Sequence, residues 1–170
     1  MKIKTTLFAV AVSTAGFIAS ANAQSVSTAT TTATLITPIS ISTVSDLNFG
    51  SVASSGTAGT VTMSEAGVAA ANGGASLPAT GDPRTTASFT VTGEGTSTFS
   101  VSMPVSVELM SGVAGPTLTI DGIAAATGAT GTLVAGAATI DILATLQVPA
   151  GAVAGEYTSA VGLPVTVNYN

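Results

Sequence analysis

Alternation of apolar and polar side chains most constrains what this chain can fold into, because successive residues of a β-strand face opposite sides of a sheet and a half-buried strand must alternate in composition. The C-terminus shows it best. Tyr157, Ser159, Val161, Leu163, Val165, Val167 and Tyr169 share one parity, and Glu156, Thr158, Ala160, Gly162, Pro164, Thr166 and Asn168 share the other. The spacing predicts one long strand, bent at Gly162. Pro164 brings no N–H to a ladder, which places this strand, on at least that side, at a sheet edge.

Two further strands are read in Ala87–Thr92 and Thr98–Met103, joined as a hairpin through Gly93-Glu94-Gly95, with Phe89 and Val91 beside Phe99 and Val101. Ile140, Ile142, Ala144, Leu146 and Val148 form another inward row. Shorter candidates are Leu35–Ile41, Leu47–Val52, Thr60–Met63, Val105–Leu109, Leu118–Ile120 and Thr132–Ala135, separated by Gly, Pro, Asn and Asp. Many short strands with no amphipathic helix predict an all-β antiparallel sandwich. The stretch from Ser64 to Arg84 reads as a long loop or a small protruding hairpin, and Val68–Ala71 has room for one helical turn at most between its flanking glycines.

The N-terminus has a different character. Met1-Lys2-Ile3-Lys4 precedes an apolar run from Leu7 to Ile18 and the small-x-small sequence Ala21-Asn22-Ala23, the pattern of a secretory signal peptide over residues 1–23, cut before Gln24. Nothing after it is long and apolar enough for a transmembrane helix. The chain is therefore expected to be exported, to the periplasm, the outer cell surface or the medium. Residues 24–34 read as an N-terminal extension and 35–170 as a single sandwich domain. Export permits disulfides, yet the chain holds no Cys, so burial and backbone pairing must supply its stability.

Chemistry-bearing residues are scarce. The sequence has no His and no Trp, and losing Lys2 and Lys4 with the signal takes the formal charge from −5 to −7, which suits nucleic acid poorly. Asp46, Glu65, Asp82, Glu94, Glu108, Asp121, Asp141 and Glu156 lack the close spacing of a calcium loop, and read as solvated loop acids. Catalysis would need a pair of them brought together by folding, as in a glycosidase, since no nucleophile elbow or phosphate loop is present. We read a non-enzyme, with no catalytic residue, metal site or cofactor. Leu77-Pro78-Ala79-Thr80-Gly81 matches a sortase wall-anchoring signal, but strands follow it where an apolar tail and basic residues would be required. Turn chemistry explains it better. Thr28–Thr34, nearly all Thr and Ala, is too short for a repetitive ice- or sugar-binding array and reads as a β-prone extension.

Thr32–Ile41, Asp46–Val52, Phe89–Gly93, Ala154–Tyr157 and Val165–Tyr169 together resemble the bacterial secreted family called domain of unknown function 4402. More distantly, Leu47-Asn48-Phe49-Gly50, the Gly155-Glu156-Tyr157 step and the penultimate Tyr169 are similar to spore-coat-U-type and chaperone-usher pilin subunits. That resemblance implies an immunoglobulin-like sandwich that lacks a strand, supplied first by a periplasmic chaperone and then by the extension of the next subunit. It implies a donor segment over Ser25–Ala33, with Val26, Ala29, Thr31 and Ala33 as its residues. The acceptor edge would be Tyr157, Val161, Leu163, Val165, Val167 and Tyr169. Large donor side chains would contribute about 1.5 to 3 kcal/mol each, whereas Thr and Ala contribute less, so the sandwich either stands alone or forms a polymer weaker than a pilus. The resulting expectation is a structural or adhesive surface subunit that self-assembles by β-strand addition. The alternative is a monomeric extracellular module that binds carbohydrate or another polymer through the Ser64–Arg84 loop.

Overall fold

The computed structural model describes residues 25–170; the signal peptide read at 1–23 lies outside the described residues. Residues Leu35–Asn170 form one unit and the segment ending at Thr34 another. The larger unit is an all-β antiparallel sandwich of eleven strands: β1 (Ser40–Ser45), β2 (Ala53–Met63), β3 (Ala69–Ser76), β4 (Ser88–Thr92), β5 (Thr98–Ser102), β6 (Val107–Ser111), β7 (Leu118–Ala125), β8 (Thr130–Thr132), β9 (Ala137–Val148), β10 (Tyr157–Thr158) and β11 (Thr166–Tyr169).

The longest apolar alternation becomes the central strand. In β9, Ile140, Ile142, Ala144, Leu146 and Val148 are all buried, while the intervening Asp141, Leu143, Thr145 and Gln147 are half-buried on the other face. One edge of β9 is taken by β4 along residues 137–141 and by β2 along 144–148; the other is taken by β7. The sheet continues outward through β1 on β4, β3 on β2, and β6 and β10 beyond β7. A smaller sheet has the order β11-β5-β8.

The inner face of the large sheet carries two core clusters. In one, Phe89 and Val91 of β4 and Ile140 and Ile142 of β9 pack against Phe99 and Val101 of β5 and Val167 of β11, so two sheets face each other. In the other, Val61, Met63, Ile120, Leu146 and Val148 are covered by Phe49, with Leu47, Leu77 and Leu163 at its margin. All four of those covering residues lie outside strands. Leu47, Ile123 and Leu163 touch both clusters and join them.

Several local expectations are corrected. The tail is not one strand: β10 pairs with β6 in the large sheet and β11 with β5 in the small one. Between them the chain must leave one layer for the other, which it does at Gly162 (φ +67°) and Pro164, and this leaves Val161 80% exposed rather than inward. Likewise β4 and β5 do not form a hairpin. Each belongs to a different sheet, and the turn 93–97 arches across the sandwich, so Phe89 and Val91 meet Phe99 and Val101 face to face instead of side by side. Val68–Ala71 takes no helical turn, because the chain there enters β3 and pairs with β2 (Met63 with Ala69, Val61 with Ala71). The stretch Leu35–Ile39 precedes β1 without joining a strand, and Leu47–Val52 contributes only a bridge from Asn48 to Thr85. At Thr132–Ala135 the strand ends at Thr132, where Leu133 turns wholly into the core.

Candidate functional site

The acceptor edge read from the sequence divides between two places. Tyr157 sits in β10, half-buried, with its hydroxyl donating to the carbonyl of Val153 (2.9 Å). Val161, Leu163 and Val165 lie in the crossing segment: Val161 is exposed, while Leu163 and Val165 pack on the core. Val167 and Tyr169 belong to β11, whose one neighbouring strand among the described residues is β5. Antiparallel partners bond at alternate residues. Because the N–H of Asn170 donates to the carbonyl of Thr98 (3.2 Å), the groups of Asn168 and Thr166 face β5, and those of Val167 and Tyr169 face the open edge. The donor residues Val26, Ala29, Thr31 and Ala33 are all exposed and lie in no strand.

Tyr169 also closes a polar clasp between three distant segments. Its hydroxyl donates to the carbonyl of Thr37 (2.7 Å) and accepts the N–H of Glu94 (2.6 Å), while the Glu94 carboxylate accepts the N–H of Thr37 (3.0 Å). Hydrogen bonding from Thr37 holds the Glu94 carboxyl below its ordinary value, against the opposing effect of burial. Residue 93 must be Gly, since a Cβ there would run into the Tyr169 hydroxyl. Thr37, just before β1, is thus fixed to the β4–β5 arch and to the last strand.

At the other end of β5 lies an open apolar depression of about 460 Å³, bordered by Met103, Pro104, Val105, Ile123 and Ala124. It exists because neighbouring strands stop early. The pairing of β6 ends at Val107 opposite Ile120, although β7 runs on to Ala125, and the pairing of β8 ends at Thr130, with one further backbone bond from the N–H of Val101 to the carbonyl of Ala129 (2.9 Å). Pro104 continues into a second hollow of about 220 Å³ with Met110, Val161 and Pro164.

Two further carboxylates accept local hydrogen bonds. Asp121 accepts both contacts of the Gln147 amide (3.0 and 3.2 Å), and Asp82 accepts from Ser51 Oγ (3.4 Å). No group of three or more His, Cys, Asp or Glu that could hold a metal ion occurs among the described residues. No helix among them is long and apolar enough to cross a membrane. The Leu77–Gly81 motif is the loop after β3, pinned where Arg84 Nη2 donates to the carbonyls of Pro78 (3.1 Å) and Ser51 (3.0 Å). Sequence reasoning did not find the clasp or the depression. Glu94 and Tyr169 stood out only as a turn residue and a strand end, and the depression depends on relative strand lengths that no local pattern records.

The model of one family, described as Domain of unknown function (DUF4402), matches residues 39–169. No curated protein and no solved structure matches the chain.

Proposed function

We propose that this chain, which belongs to the DUF4402 family, is an exported structural or adhesive subunit of the cell surface that self-assembles by β-strand addition. The observation that carries the reading is the open edge of β11. Val167 anchors that strand in the core while the backbone groups of Val167 and Tyr169 face outward, a template on which an extended segment from another copy pairs through main-chain hydrogen bonds. The exposed extension Ser25–Ala33, rich in β-prone threonine, supplies such a segment.

Carbohydrate recognition by a monomer has less support. Phe49, Phe89 and Phe99 are buried, and the hydroxyls of Tyr157 and Tyr169 are engaged with backbone, so the ring faces on which sugars usually stack are few. Deleting Ser25–Ala33 from the exported chain tests the assembly reading. The shortened chain is expected to stay monomeric in light scattering and to melt lower unless a peptide of that sequence is added. Equal melting temperature and equal oligomer size with and without the segment would overturn it.

A further inference from the structure

The geometry points to a head-to-tail contact between copies of this chain, in which Leu35 and Ile36 of one copy enter the apolar depression between β5 and β7 of the next. The inference rests on the self-assembling reading and gives it a second, separate surface.

Leu35 is 99% exposed and Ile36 52%. They do not dangle. The next residue, Thr37, is held through both its N–H and its carbonyl by Glu94 and Tyr169, so two branched aliphatic side chains are presented to solvent from a fixed point. A clamped apolar pair in water marks an interaction surface more strongly than scattered single residues do. Val134, also exposed, lies at the same end, where the N–H of Gly136 donates to the carbonyl of Gly95 (2.7 Å) beside the arch.

The depression suits that pair in size and charge. An apolar cavity of about 150 Å³ takes a benzene-sized group, and here about 460 Å³ is open. No charged residue lines it, Val105 on its rim is 89% exposed, and Leu35 and Ile36 stand between the uncharged Thr34 and Thr37. Placement decides the kind of assembly. The clasp sits at the start of β5 and the depression at its end, about 17 Å apart at the rise of a strand. Two different surfaces at opposite ends make a heterologous contact, which propagates as a filament unless its rotation closes a ring.

The test uses the exported chain Gln24–Asn170 in sedimentation velocity over a concentration series. One variant carries L35D and I36D; the other carries V105D and A124D, both at exposed positions, so the fold is retained and is checked by circular dichroism. Each variant alone is expected to associate at least about tenfold more weakly than the wild type. An equimolar mixture is expected to associate more tightly than either variant alone, because the first keeps the depression and the second keeps the aliphatic pair. Wild-type association by either variant, or a mixture no tighter than its components, overturns the contact; either result would also follow if the depression takes a lipid or another protein. The deletion of Ser25–Ala33 leaves Leu35 and Ile36 in place and separates the two readings. Assembly lost on deletion but unaffected by the substitutions refutes the head-to-tail contact and keeps strand addition, and the reverse pattern does the opposite.

Discussion

One half of the large sheet is roofed by another sheet and the other half by loops, although both present the same kind of buried face. Over Phe89, Val91, Ile140 and Ile142 the cover is β11-β5-β8, held together by its own backbone ladder. Over Val61, Met63, Ile120 and Leu146 the cover is Phe49 with Leu47, Leu77 and Leu163, from segments without ladders. Such segments need other fasteners. Asn48 and Thr85 exchange backbone hydrogen bonds at 2.9 Å, the N–H of Asp82 donates to Ser51 Oγ (3.1 Å), and Arg84 reaches two carbonyls. The contrast teaches that a buried sheet face dictates only that something apolar must lie on it. Where strand pairing runs out, side-chain hydrogen bonds take over the task of holding the roof.

Truncating the matched aromatic on each side should break the contrast most visibly. Phe99 is fully buried under the sheet roof and Phe49 nearly so under the loop roof. Phe99→Ala is expected to cost about 3–5 kcal/mol in denaturant unfolding, since flanking strands cannot close the void. Phe49→Ala should cost about 1 kcal/mol less, because loops collapse more readily into a cavity. Equal losses would mean that the loop roof is as unyielding as a sheet.

Overpacking probes the sheet roof from the other direction. Gly131 in β8 pairs with Phe99, and a Cβ at that position would collide with the phenyl ring. Gly131→Ala is expected to destabilise by about 1–3 kcal/mol, read by thermal or chemical unfolding, as the ring is pushed off its packing. A neutral result would show that the small sheet gives way as easily as the loops.

For the loop roof the corresponding probe is Arg84. Arg84→Ala removes two hydrogen bonds to backbone carbonyls, and about 1–2 kcal/mol of stability should go with them. The change should be local as well as global. Faster proteolytic cleavage between Leu77 and Asp82 is expected in the variant, with the β9 region unchanged; uniform cleavage would show that the arginine does not hold the loop in particular.

The same contrast explains what could be read from the residues alone. The row Ile140 to Val148 was legible because burial on one face writes period-two alternation directly into the chain, and β9 lies where that row predicts. Alternation tells which parity is buried but not which sheet a strand joins. Hence Phe89 and Phe99 were correctly brought together but by the wrong connection, and the tail's single parity hid a crossing between layers at Val161. The loop roof left almost no trace, since Phe49, Leu77 and Leu163 share no periodicity. Of the residues read as an acceptor edge, Val167 and Tyr169 lie together in β11. The clasp could not be named in advance, for it joins residues 57 and 132 positions apart, and its Thr37 end is backbone, which carries no side-chain signature.

The gentlest expected effect lies in that clasp, at the rim of the sheet-roofed half. Its carboxylate, Glu94, is bound by the N–H of Thr37, so its folded-state value lies below its unfolded one. A group depressed in this way adds stability above its unfolded value and gives it up as the pH falls through the folded one. The wild type should therefore melt slightly above Glu94→Gln at neutral pH, and the gap should close on acidification through the carboxylate range. Because Glu94 is only half-buried, screening by salt should shrink the gap as well. A gap that persists unchanged well below the carboxylate range would mean that the glutamate acts through its packing rather than its charge, and that Tyr169 alone ties Thr37 to the small sheet.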